Sequence, residues 1–181
     1  MKNRRNVITV VAFTVLLIAV IITYSYQTAS KEETIKADVT KFFTQMCEVT
    51  PETYGVILPP GESIEKQMAT YKSYIEKEFD GLYTDLLYAD FFIGDRYLMF
   101  APQLASEKNL SMHFSNVSLT ETSSDRQYKY YDFEVEFVLK DLNENTETVL
   151  VNKGKIKLKR EFIRFKIDAV RYDRDVLVDY L

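Results

Sequence analysis

Residues 7–24, VITVVAFTVLLIAVIITY, run for eighteen positions without a charge, and three threonines are the polar interruptions. As a helix this run would span about 27 Å at 1.5 Å per residue, close to the roughly 30 Å hydrocarbon core of a bilayer. Lys2, Arg4 and Arg5 precede it, and Tyr24 and Tyr26 follow where amphipathic rings favour the interface. The basic flank orients the N-terminus inward. The sequence therefore predicts a cytoplasmic tail (1–6), a single transmembrane helix (7–24), a juxtamembrane linker (25–30) and an extracytoplasmic domain (31–181).

A cleaved secretory signal is the competing reading. Its apolar region ordinarily runs about 7–15 residues and ends at a small-x-small site. Here the run is longer, and Thr28 and Ser30 come nearest to such a site. The anchor is the better fit, and either reading puts residues 31–181 outside the cytoplasm.

Beyond the span the chain has the material for a core, with 13 Tyr and 12 Phe against only 5 Gly and 4 Pro, which argues against a disordered segment. All 27 acidic residues lie beyond the span, and three of the 23 basic ones precede it, leaving the outer domain near −7. Residues 153–174 reverse the sign, with nine Lys/Arg against Glu161, Asp168 and Asp173. An acidic domain with one basic strip reads as a polarised surface, and direct nucleic-acid binding is not expected. The single cysteine, Cys47, excludes an internal disulfide and a cysteine-based zinc site, and its place in FFTQMCEV points to burial. Sequons at Asn109 and Asn116 matter only in a eukaryotic secretory pathway.

Two periodicities divide the outer domain. Ser30 and Glu33 form a capping box, and Ile35, Val39, Phe42, Phe43 and Met46 follow at helical spacing. VTPETYGVILPPG reads as a loop. Ser63 caps a second helix whose apolar stripe is Ile64, Met68, Tyr71, Ile75 and Phe79. The segment from Leu82 reads as one or two buried helices, interrupted near Gly94 and ended before Pro102, with strand character at 96–101 as the alternative. After residue 108 the period becomes two, over 110–122, 127–141, 147–159 and 162–173. The fold class is α+β, with helices packed on one face of a four-stranded antiparallel sheet.

YKYYDFEVEF, residues 128–137, sets Asp132, Glu134 and Glu136 two apart and invites a catalytic reading. Alternation sends Tyr131, Phe133, Val135, Phe137 and Leu139 to one face and the carboxylates to the other. A two-residue turn at Glu144-Asn145 would set Asp132, Glu134 and Glu136 opposite Lys157, Lys155 and Lys153. On the other face, Phe133 would meet Ile156 and Tyr131 would meet Leu158. Such a ladder is a charged sheet face, because acid–base catalysis needs carboxylates in unlike, partly desolvated settings.

Other candidates are sparse. His113, the sole histidine, has no nucleophile context and reads as an outward strand residue. Asp85, Asp90 and Asp95 lie in a tyrosine-rich apolar segment, where one held away from water could act as a base. The plainer reading exposes Asp85 and Asp90 and pairs Asp95 with Arg96. In the basic strip, the lysines through 157 answer the acidic strand. Arg160, Arg164 and Lys166 remain over and form the candidate interaction surface. No catalytic, cofactor-binding or metal-ligating residue is assigned.

A short basic tail, one apolar span, amphipathic helices and then a four-stranded meander together resemble the NTF2-like (cystatin-like) α+β cone with its curved sheet. Within it, the layout is similar to the single-pass scaffold component of bacterial type IV secretion and conjugation channels. That resemblance implies a non-catalytic, cofactor-free role: an outer-face domain, anchored in the cell membrane, that self-associates and holds other channel subunits together. The same cone hosts ligand-binding and ketosteroid-isomerase-like proteins. A ligand-binding or sensory ectodomain, which needs an open apolar pocket, and a small-molecule enzyme, which needs an aspartate pointing into it, are the alternatives.

Overall fold

The computed structural model describes residues 31–95 and 97–180. The expected tail, transmembrane helix and linker, the Ser30 end of the capping box, and Arg96 lie outside the described residues. Among the described residues no helix is long and apolar enough to cross a membrane. Residues 31–47 are helical (α1), and Asp38, within that helix, opens the compact unit Asp38–Leu181.

Further helices follow: α2 (Thr53–Ile57), α3 (Ile64–Glu78), α4 (Asp85–Leu87), a π-helical turn (Tyr88–Gly94) and α5 (Tyr97–Lys108). Four strands come next, β1 (Leu110–Ser124), β2 (Tyr128–Asp141), β3 (Thr146–Glu161) and β4 (Arg164–Arg174), and a 3₁₀ turn (Val176–Tyr180) closes the fold. The strands form one antiparallel meander in the order β1-β2-β3-β4, the α+β arrangement that the change of period implies.

Helices cover one face of this sheet. Phe43 of α1 meets Phe133 of β2 at 4.8 Å between ring centroids, and Phe42 contacts the rings of Phe79, Phe91 and Phe92. Tyr71 is buried here, and its hydroxyl donates to the Phe92 carbonyl at 2.6 Å. The wide π turn accommodates two consecutive buried rings, Phe91 and Phe92. Tyr131, Phe133, Val135, Phe137 and Leu139 all point into this core, as alternation requires.

Several local expectations are corrected. The supposed loop after Val49 holds α2, which buries Ile57 and Leu58. Pro102 lies inside α5 and does not end the helix. A proline there removes one helical donor, and burial of Leu98, Leu104 and Ala105 offsets the loss. Ser63 caps α3 as expected, accepting from the Lys66 N–H, but Ile64 stands outside the core at 80 % exposure.

The β2–β3 register is shifted by two from the expected one. Asp132 faces Lys155, Glu134 faces Lys153, Tyr131 faces Ile156 and Phe133 faces Gly154. The connection is a four-residue loop, Leu142 to Asn145, instead of a two-residue turn. Asp141 Oδ1 accepts from the N–H groups of Asn143 and Glu144, and Asn145 takes φ +54° to close the loop. An even shift leaves every side chain on its own face. That is why alternation alone could not see it.

Bulges move other residues between faces. At Phe114/Asn116 the register slips, so Met112 and then Val117 face the core where strict alternation would have kept even positions inward. At Lys157/Leu158 the slip falls on Asp168, which turns inward and is buried.

Candidate functional site

The three basic residues singled out from the sequence converge on the β3–β4 hairpin. Glu161 pairs with Arg164, leaving Phe162 and Ile163 as a two-residue turn. Phe162 holds φ +54°, a conformation that hairpin turns usually give to Gly, Asn or Asp. It is 96 % exposed and Ile163 88 %, so neither is part of the core. Phe162 opens the stretch 162–173 that the period of two assigns to a strand. It sits at the tip instead, because the ladder closes at Glu161 and Arg164 and leaves Phe162 and Ile163 as the turn.

The cations around this tip are engaged to different degrees. Arg164 forms a two-pronged pair with Asp38, donating from Nε to Oδ2 at 3.0 Å and from Nη2 to Oδ1 at 2.6 Å. That hydrogen bond, and then the Asp38 charge, raise the Arg164 pKa. Lys166 pairs with Glu161 at 3.2 Å. Arg160 donates from Nε to the Phe162 carbonyl at 3.3 Å and has no carboxylate within ion-pairing distance among the described residues. Lys159 faces Lys166 across the ladder.

The acidic ladder is a solvated sheet face. Lys155 reaches Asp132 at 2.8 Å and Lys153 reaches Glu134 at 2.6 Å, with all four side chains more than half exposed. The Asp132 hydrogen bond raises the Lys155 pKa. Lys157 departs from the expected ladder. It lies over the Tyr128 ring and pairs with the buried Asp168 at 2.8 Å, and that hydrogen bond raises its pKa. Asp168 Oδ1 also accepts from Thr84 Oγ1 at 2.9 Å, and the same hydroxyl accepts from the Leu87 N–H at the start of α4. Sequence reasoning passed over Asp168, because nothing in the alternation announces a bulge.

The aspartates proposed as bases do not enter the core: Asp85, Asp90 and Asp95 are all exposed. His113 is exposed and bonded to Glu48 at 3.0 Å, while the other oxygen of Glu48 accepts from the Phe114 N–H. These contacts tie the end of α1 to β1. Among the described residues there is no group of three His, Cys, Asp or Glu side chains that could hold a metal ion.

The space between α1, α5 and the sheet, bordered by Met46, Cys47, Phe100, Met112 and Phe137, amounts to about 20 Å³, room for roughly one water. Wider hollows of about 230 Å³ over Tyr130 and Lys155, and about 440 Å³ beside Tyr54 and Gln67, are open depressions in the surface. Cys47 is buried in the interior, and its thiol pKa is pushed up to about 12, by burial first and then by the charges of Glu48 and Asp175.

No family model matches the sequence, and no curated protein matches it. Among solved structures the chain is similar to the crystal structure of the intermembrane space region of chloroplast protein ARC6. The likeness has 13 % identity and a TM-score of 0.39, and it covers 77 % of this chain and 94 % of that one. It is too distant to carry fold or function.

Proposed function

We propose that this protein is a membrane-anchored, extracytoplasmic assembly module with an NTF2-like ectodomain, working in a bacterial envelope channel of the conjugation or type IV secretion kind. The anchor is the apolar run 7–24, and the domain beyond it is non-catalytic. The observation that supports this reading is the filled interior. Phe42, Phe43, Phe79, Phe92, Phe133 and Phe137 occupy the space between helices and sheet. The volume left there, about 20 Å³, is far below the roughly 300–1,000 Å³ of ordinary ligand pockets. The ligand-binding and enzymatic alternatives both need a pocket in that place, so the domain's business is on its outside. Arg160, Arg164 and Lys166, gathered at one hairpin, are the contact surface we assign.

The test is in-cell crosslinking of the tagged full-length chain in its native host, followed by membrane extraction and mass spectrometry. Recovery of other envelope subunits is the expected result. Recovery of the chain alone, as a monomer, overturns the reading.

A further inference from the structure

We infer that the β3–β4 hairpin tip docks on an anionic bilayer, with Phe162 and Ile163 entering the interfacial layer and Lys159, Arg160 and Lys166 meeting lipid phosphates. This names the bilayer, in place of a partner subunit, as what the basic surface assigned above meets, and it rests on the membrane anchor of that reading.

Three observations carry the inference. First, the two most exposed large apolar side chains among the described residues are neighbours, Phe162 and Ile163, at the end of a two-residue turn. The turn conformation is one that glycine or asparagine fills most readily, yet a phenylalanine holds it and contributes nothing to the core. An amphipathic tip of this kind has its natural setting at a membrane surface, where apolar residues seat at the acyl boundary and basic ones stay at the headgroups.

Second, the charge is complementary to an anionic surface. Lys159, Arg160, Arg164 and Lys166 surround the turn against two acids, Glu161 and the Asp38 that pairs with Arg164, on a chain whose net charge is −4. Anionic lipid repels most of such a domain and attracts this end, which sets orientation as well as contact.

Third, the domain is covalently tied to the expected anchor, so a bilayer lies within reach of this tip. Arg164 clamps the hairpin to Asp38, the first residue of the compact unit. Thirteen residues lie between Tyr24, at the end of the apolar run, and Asp38, so covalent reach keeps the Asp38–Arg164 clamp within about 50 Å of the expected span even if that segment is fully extended.

The chain contains no tryptophan, so F162W supplies a single emitter. The full-length F162W chain is reconstituted in phosphatidylcholine vesicles, with and without phosphatidylglycerol, using acyl-brominated lipid as a depth-sensitive quencher. V149W, at the opposite end of β3 and 60 % exposed in the native chain, is the control. The expected result is blue-shifted emission that loses most of its intensity to brominated lipid when phosphatidylglycerol is present, reversed by R160E, with V149W unquenched. If F162W stays as unquenched as V149W in vesicles from which alkali does not strip the chain, the docking inference falls and the anchor stands. A chain that alkali strips from the vesicles overturns the anchor itself, and the inference with it. Equal quenching in pure phosphatidylcholine overturns the anionic assignment. A photo-crosslinker at position 162 that captures protein in place of lipid in the native host assigns the tip to a partner chain and overturns the inference.

Discussion

Gly154 lies directly opposite Phe133 in the β2–β3 ladder, and a Cβ at position 154 would sit 2.1 Å from the Arg171 carbonyl oxygen and 2.9 Å from the Phe133 ring. The carbonyl belongs to β4, which slips register between Lys153 and Gly154, so three strands close on a point with room only for hydrogen. Replacing Gly154 by alanine forces backbone apart, because the nearest atom is main chain. G154A is expected to cost about 3 kcal/mol, the upper range for overpacking a well-filled site. Thermal unfolding of the purified chain checks it, and a midpoint unchanged from wild type would remove Gly154 as the register-setting residue.

Asp168 is the hinge of a second prediction. It is 3 % exposed, accepts from Thr84, and pairs with a Lys157 whose side chain is 30 % exposed. D168A leaves the Thr84 hydroxyl and the Lys157 ammonium without their acceptor and should destabilise the chain by about 2 kcal/mol, the scale of a lost hydrogen bond to a charged group. T84V keeps the Lys157 pair and should cost less. Urea unfolding of both variants compares them, and a T84V loss equal to that of D168A would show that the Thr84 hydroxyl, which also caps α4, carries as much stability as all the contacts of Asp168.

The Asp38–Arg164 clamp is half in water, with Asp38 at 16 % and Arg164 at 49 % side-chain exposure. A double-mutant cycle on D38A and R164A should therefore return a coupling of only about 0.5–1 kcal/mol, weakened by salt. Its local consequence is larger than its global one. Amide exchange over residues 161–165 should speed up in either single variant while exchange in β2 stays unchanged. Slow exchange at the tip in both variants would show that the turn holds itself.

Cys47 gives a prediction at alkaline pH. Its thiol pKa in the folded chain is raised from about 9 to about 12. The folded state thus keeps a proton that the unfolded state releases, so the contribution is complete below about pH 9 and is lost as pH rises toward 12. A maleimide reagent at pH 8 should leave Cys47 unmodified until the chain unfolds. Rapid labelling of native protein would mean that the interior around Met46 and Phe137 opens readily.

Much of the architecture was legible from pattern. The inward face of β2, the helix from Ile64 to Glu78 with its Ser63 cap, and the change from helices to strands near residue 108 all follow from side-chain period and capping chemistry, which are local properties. The basic residues Arg160, Arg164 and Lys166 were legible as a cluster, but their engagement was not. Arg164 finds Asp38 126 positions away, a partner that no spacing rule connects to it. Phe162 opens the alternating stretch 162–173, where a phenylalanine usually faces the core. Its exposure depends on where the hairpin turns.

Between bulges, alternation determined which residues of each strand share a face, because neighbouring side chains on an extended chain must point opposite ways. It left open every even slip between strands, since a shift of two preserves both faces. The tertiary structure made that choice through contacts that exist only when distant segments meet: the closeness of Arg171 to Gly154, the loop held by Asp141, and the bulge that carries Asp168 inside. Faces are set by covalent geometry within one unbulged segment, and register and bulges by steric fit among three.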